Sequence, residues 1–129
     1  MRLINPGPGE YCDRLSILAL KISHGEDRGV STDHFRKEWA AILPKLCTAG
    51  GTPFLEAYTK LVVVNARLWQ AEDRLREFRT AGGELETVAQ VAYLIQTLND
   101  ARAALIAGIN KQTGNHVGEE KILEEREKG

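Results

Sequence analysis

Apolar residues recur at three- and four-residue steps through most of this chain, and glycine and proline interrupt the rhythm in four places, residues 5–9, 25–29, 50–53 and 82–83. The pattern predicts four helices and no strand. The first runs from about Gly9 to Ser23, with Tyr11, Leu15, Leu18 and Ile22 on one side, Ile17 and Leu20 on the other, and Gly25 as C-cap. A helix apolar on two faces is central in a fold or covered by a second subunit, and burial by neighbours together with some self-association is expected here. The second helix opens at Ser31 or Thr32, either of which can cap it, and carries Phe35, Trp39, Ile42, Leu43 and Leu46 toward the core. Pro44 lies inside that pattern and is expected to kink or interrupt it, because it lacks an amide donor and crowds the preceding turn. Thr52 and Pro53 form an N-cap and first-turn pair that starts the longest helix, ending at about Thr80. After Gly82 and Gly83 a fourth helix runs from about Glu84 to Gln112, stopped at Gly114.

So short a turn between two helices of nearly equal length predicts an antiparallel αα-hairpin roughly 40 Å long, the spine of an all-α four-helix bundle. Residues 1–117 are read as one helical domain and 118–129 as a charged C-terminal tail, either a solvated helix or mobile, since eight of its twelve residues carry charge.

Several polar residues fall inside the apolar stripes of the hairpin when positions are advanced by about 100° per residue. On the third helix Phe54, Tyr58, Leu61, Leu68 and Trp69 define the inward face, and Asn65, Glu72 and Arg76 lie within it. On the fourth, Val88, Val91, Ile95, Leu98, Leu105, Ile106 and Ile109 define the face, and Asn99, Arg102 and Asn110 lie within it. A turn at 82–83 sets Asn65 opposite Asn99 and Arg102. An inward guanidinium must find a carboxylate, carbonyls, water or a ligand anion, because an unpaired buried charge costs at least several kcal/mol. Asp13, Glu10 and Glu72 are the candidate carboxylates, though Glu72 sits roughly 15 Å along the axis from Arg102 and has Arg76 as its nearer neighbour. Two readings compete: a satisfied internal network that fixes helix register, or a pocket in which Asn65, Glu72, Arg76, Asn99 and Arg102 bind a small anionic or hydroxyl-rich ligand.

The composition narrows the choice. The chain has 129 residues, 43% hydrophobic and 27% charged, and a net charge of -1, so no global field attracts a polyanion and nucleic-acid binding has no electrostatic support. No apolar run approaches the roughly 18 to 20 residues that cross a bilayer. With two cysteines and no basic, apolar leader, a reducing cytoplasm is the expected compartment. Glu10 and Asp13 have the E-x-x-D spacing that Mg²⁺-dependent all-α nucleotide pyrophosphatases use, with Glu72 and Asp73 as the only nearby second pair. Adjacent residues point about 100° apart, which serves one metal poorly. His24, His34 and His116 share no ligand spacing, and Cys12 and Cys47 read as small core residues. The stretch Asn5-Pro6-Gly7-Pro8-Gly9 is a rigid lead-in to the first helix, or a place where helix-terminal amides capture an anion; it lacks the lysine and spacing of a P-loop.

The run Gly9-Glu10-x-x-Asp13-Arg14-Leu15-x-Ile17-Leu18-x-x-Lys21-Ile22, followed by Leu68-Trp69-x-x-Glu72-Asp73-x-x-Arg76, Asn99-Asp100-x-Arg102-Ala103, Ile109-Asn110, Thr113-Gly114 and Glu119-Glu120-Lys121, resembles an uncharacterised family of short all-helical proteins of bacteria and phages. Some members of that family are encoded beside glycosyltransferases. The resemblance spans nearly the whole chain in order and implies an all-helical fold with the inward polar set as a family feature, but it brings no reaction. The chain departs from the family near its end, where Asn115 stands at a serine-like position and Ile122-Leu123 replace Ser-Tyr. The resulting expectation is a non-enzymatic binding or accessory protein, a homo-oligomer through the first helix or the exposed flank of the hairpin, with a site for an anionic or sugar-like ligand such as a nucleotide. A Mg²⁺-dependent hydrolase on Glu10, Asp13, Glu72 and Asp73, and a purely structural or protein-interaction module, are the alternatives.

Overall fold

The computed structural model describes residues 7–46 and 52–112, with side chains from residue 55 onward in the second stretch. Asn5, Pro6, Cys47, the Phe54 side chain, Gly114, His116 and the tail 118–129 lie outside the described residues. Four helices account for nearly all that is described: α1 (Pro8–Arg28), α2 (Asp33–Leu46), α3 (Thr52–Ala81) and α4 (Leu85–Gln112). No strand occurs among the described residues, so the fold is all-α.

α1 begins as the lead-in predicts, with Gly7 extended at the N-cap and Pro8, whose missing N–H costs nothing in a first turn, as the first helical residue. Its end differs from expectation. The helix passes through Gly25 and stops at Gly29, which takes the left-handed conformation (φ 70°). The Gly29 N–H donates to the Glu26 carbonyl (3.1 Å) and the Val30 N–H to the Gly25 carbonyl (3.0 Å), the pair of bonds that closes a Schellman turn. Gly25 is glycine for another reason: it is buried, and a Cβ there would lie 2.5 Å from the Thr32 methyl where the chain folds back.

α2 opens with the Ser31 hydroxyl accepting from the Asp33 N–H (3.4 Å) and the Thr32 carbonyl accepting from the Arg36 N–H (3.0 Å). Pro44 does not end it. The helix continues through Leu46, losing at Pro44 the hydrogen bond that an N–H there would make to the carbonyl four residues back. The α3–α4 connection is three residues, and Gly82 adopts φ 80° while its N–H donates to the Phe78 carbonyl (2.9 Å).

α1 is the hub. It packs against α2, α3 and α4, and α3 and α4 pack most extensively on each other. Among the described residues the α2 backbone comes close to α1 alone. The core joins Cys12, Leu15 and Leu18 of α1 to Ile42 and Leu46 of α2, Leu61 of α3 and Ile109 of α4. Each large aliphatic side chain so buried contributes about 1.5–3 kcal/mol. Across the outer edge of α1, Arg14 forks Glu38 of α2 through Nε (2.7 Å) and Nη2 (2.8 Å). That fork holds the Glu38 carboxyl below, and the Arg14 guanidinium above, their ordinary pKa values. No helix among the described residues is long and apolar enough to cross a membrane.

Candidate functional site

The buried polar centre is built on Asp13, whose position in the second turn of α1 turns its carboxylate toward both long helices. Arg102 of α4 reaches it with Nε to Oδ1 (2.9 Å) and Nη2 to Oδ2 (2.6 Å), a charge-assisted fork. Asn65 of α3 donates from Nδ2 to Asp13 Oδ1 (2.9 Å) and to the Ser16 hydroxyl (2.7 Å), and that hydroxyl donates back to the Asp13 carbonyl (2.7 Å). Asp13, Ser16 and Asn65 are buried, while the Arg102 side chain stays 33% exposed. The Asp13 hydrogen bonds push the Arg102 pKa upward against the opposing effect of burial, with the charges of Asp13 and Glu72 adding to the rise. Among the described residues no buried side-chain nitrogen or oxygen lacks a partner.

Beside this network opens a cleft of about 330 Å³ between α1, α3 and α4. Ile17, Leu20, Leu68 and Trp69 form its apolar wall, and Lys21, Glu72, Arg76 and Arg102 its charged one. Three cations face one anion. One face of Trp69 is taken by the His24 ring, stacked at 4.2 Å between centroids and 14° between planes, which fixes the indole at the cleft edge.

Asn65 and Arg102 meet as expected, and Asp13 proves to be the carboxylate that Arg102 requires. Glu72 and Arg76 line the cleft but are exposed, not sequestered. Arg76 pairs with Asp73 one turn earlier on α3 instead of with Glu72. Asn99 does not join Asn65. It is exposed and outside the cleft, because it sits about 60° further around α4 than Arg102, beyond the strip that α1 covers. Asn110 clasps the start of α1: its Oδ1 accepts from the Gly9 N–H (2.7 Å) and its Nδ2 donates to both Glu10 carboxylate oxygens (2.9 Å each). Gly9 permits this approach, since a Cβ there would run into the Ile106 carbonyl oxygen.

The acidic set Glu10, Asp13, Glu72 and Asp73 is therefore dispersed. Glu10 is held by Asn110, Asp13 by Arg102 and Asn65, and Asp73 by Arg76, each with a partner that competes for its oxygens. Among the described residues no group of three or more His, Cys, Asp or Glu side chains is placed to hold a metal ion. The E-x-x-D spacing of α1 serves two separate contacts with α4. Cys12 is fully buried, and burial, reinforced by the neighbouring Asp13 charge, pushes its thiol up to about 12, so it is no nucleophile at neutral pH.

Sequence reasoning misses Ser16 and Lys21 as members of the site. Ser16 lies three residues after Asp13 and Lys21 four after Ile17, and those helical spacings were the signal available. No known protein family, no curated protein and no solved structure matches this chain.

Proposed function

We propose that this chain is a non-enzymatic small-ligand-binding or accessory module, in which the cleft between α1, α3 and α4 takes an anionic ligand with an apolar or sugar-like body, a nucleotide being representative. In this reading α3 and α4 form the antiparallel spine of a four-helix bundle. Lys21, Arg76 and Arg102 attract the anion, and Trp69 with Leu20 packs against the body. Asp13, Asn65 and Ser16 act as positioning residues that hold the Arg102 guanidinium at the cleft wall before any ligand arrives, which lowers the ordering cost of binding. The observation that carries the reading is a concave site with an aromatic edge, lined by Lys21 and by the guanidiniums of Arg76 and Arg102, whose partners Asp73 and Asp13 lie outside the lining. Its size falls within the roughly 300–1,000 Å³ of small-molecule sites.

The test is differential scanning fluorimetry followed by calorimetry, with inorganic phosphate, nucleoside monophosphates and nucleotide sugars as probes. Binding is expected to weaken by about tenfold or more in Arg76→Ala and Lys21→Ala, the loss of one charge-assisted hydrogen bond. Arg79→Ala, outside the cleft, is expected to leave it unchanged. No shift with any probe, or equal binding by all variants, refutes the proposal.

One observation favours a second reading, a structural or protein-interaction module: each described buried polar side-chain atom already has a partner. On that reading the Asp13 network serves only to fix helix register, and no probe binds.

A further inference from the structure

α1 covers one flank of the α3–α4 pair, through Asn65 on α3 and Arg102 and Asn110 on α4. At about 100° per residue, Val63 and Val64 of α3 and Ala101, Ala104 and Gly108 of α4 fall on another flank. With Leu105 they line two adjoining hollows of about 550 and 620 Å³ that share Lys60, Ala104 and Leu105. Val63 is 53% exposed there, and a Cβ added to Gly108 would meet nothing within 4 Å. Among the described residues no helix packs over this groove, since α2 approaches α1 alone.

The charges on its rims are ordered. Glu56 and Lys111 line the same end of the groove, Glu56 on the α3 rim and Lys111 on the α4 rim. Further along, the α3 rim carries Lys60 and Arg67, seven residues apart, and the α4 rim carries Asp100, four residues before Ala104; all are exposed or partly so. Read from this end, α3 is negative then positive, and α4 is positive then negative.

We infer that the groove is the interface of a symmetric homodimer. A two-fold axis running along the groove lays α3 of one copy over α4 of the other at the same height along the helices, and the contact is isologous, the same surface serving both copies. Glu56 then faces Lys111 of the second copy, and Arg67 faces its Asp100, while Val63 enters the space beside Ala101 and Ala104. The small residues of α4 let the helices approach closely, and the four helices of the two spines enclose the apolar strip that each copy alone leaves open. Within one copy Lys60 and Glu56 are ion-paired along α3 (3.2 Å), both side chains well exposed, and the opposite signs of the two rims at matching heights fit a second copy of this chain as the occupant.

Sedimentation equilibrium of the full chain over a wide concentration range tests this. The expected result is a monomer–dimer equilibrium abolished by Ala104→Glu, with helical circular dichroism unchanged because Ala104 is exposed. Glu56→Lys is expected to weaken association by about tenfold, since the reversed pair occurs twice per dimer, and Glu56→Lys combined with Lys111→Glu to restore it. A monomer at every concentration overturns the inference, whether the groove is then occupied by residues 113–129 or by a different protein. So does a dimer indifferent to all three variants.

Discussion

Replacing Arg102 with methionine keeps an unbranched apolar stem and removes the guanidinium. Asp13 would then hold its carboxylate in a site where the side chain is 8% exposed, with one hydrogen bond from Asn65 in place of the fork. Breaking a buried pair from one side costs about 3–5 kcal/mol, and the retained Asn65 bond places Arg102→Met near the lower end, about 3 kcal/mol. The reverse cut is milder. Asp13→Asn leaves an amide oxygen that still accepts from Arg102 and Asn65, and the guanidinium, a third exposed, recovers hydration, so the loss is about 1–2 kcal/mol. The decisive variant combines Asp13→Asn with Arg102→Met: removing the stranded charge should make it more stable than Arg102→Met alone by about 1–2 kcal/mol, a second mutation repairing the first. Urea unfolding of the four proteins at neutral pH, followed by circular dichroism, gives the complete cycle. If Arg102→Met costs less than about 1 kcal/mol, or the double variant is the least stable of the four, Asp13 is not the sequestered partner described above.

Two further outcomes follow from the packing and the titration of α1. Gly9→Ala is expected to destabilise by about 1–3 kcal/mol through collision with the Ile106 carbonyl oxygen and Asn110, read by thermal or urea unfolding; a neutral result would mean that α1 and α4 are not in contact there. Because Cys12 stays a neutral thiol until about 12 when folded but ionises near 9 when unfolded, stability is fully present below pH 9 and is lost progressively as pH rises toward 12. The Cys12 share of the slope approaches about 1.4 kcal/mol per pH unit in that window and should be missing from Cys12→Ala, measured against wild-type protein at matched pH, leaving the share of Tyr58, whose pKa burial also raises.

Where the chain turns without help from distant residues, the sequence predicts its course closely. Gly82 and Gly83 separate α3 from α4, and the structure begins and ends those helices within a residue or so of the periodic pattern. Gly25 is the opposite case. A glycine can terminate a helix or admit a neighbour, and only the folded chain, with Thr32 against Gly25 and the left-handed turn at Gly29, decides between them. Arg102 shows both limits. Its place in an apolar stripe announces that it needs a partner, but choosing Asp13 over Glu10 and Glu72 depends on how α1 crosses the pair. Periodicity also fixes the angle around an axis without saying how far the covering helix extends, which is why Glu72 and Arg76 lie on the inward stripe of α3 and are still wet.

Asp13 and Arg102 are separated by 89 positions, and Gly9 and Asn110 by 101. On a ribosome the first helix emerges long before its electrostatic mate has been translated, and until then its aspartate keeps a hydration shell that the finished interior has no room for. α1 and α2 can associate through Leu15, Leu18 and Ile42, but α1 cannot shed that water until α4 arrives. A nascent or truncated chain that lacks α4 therefore retains a solvated charge where Arg102 should close on it.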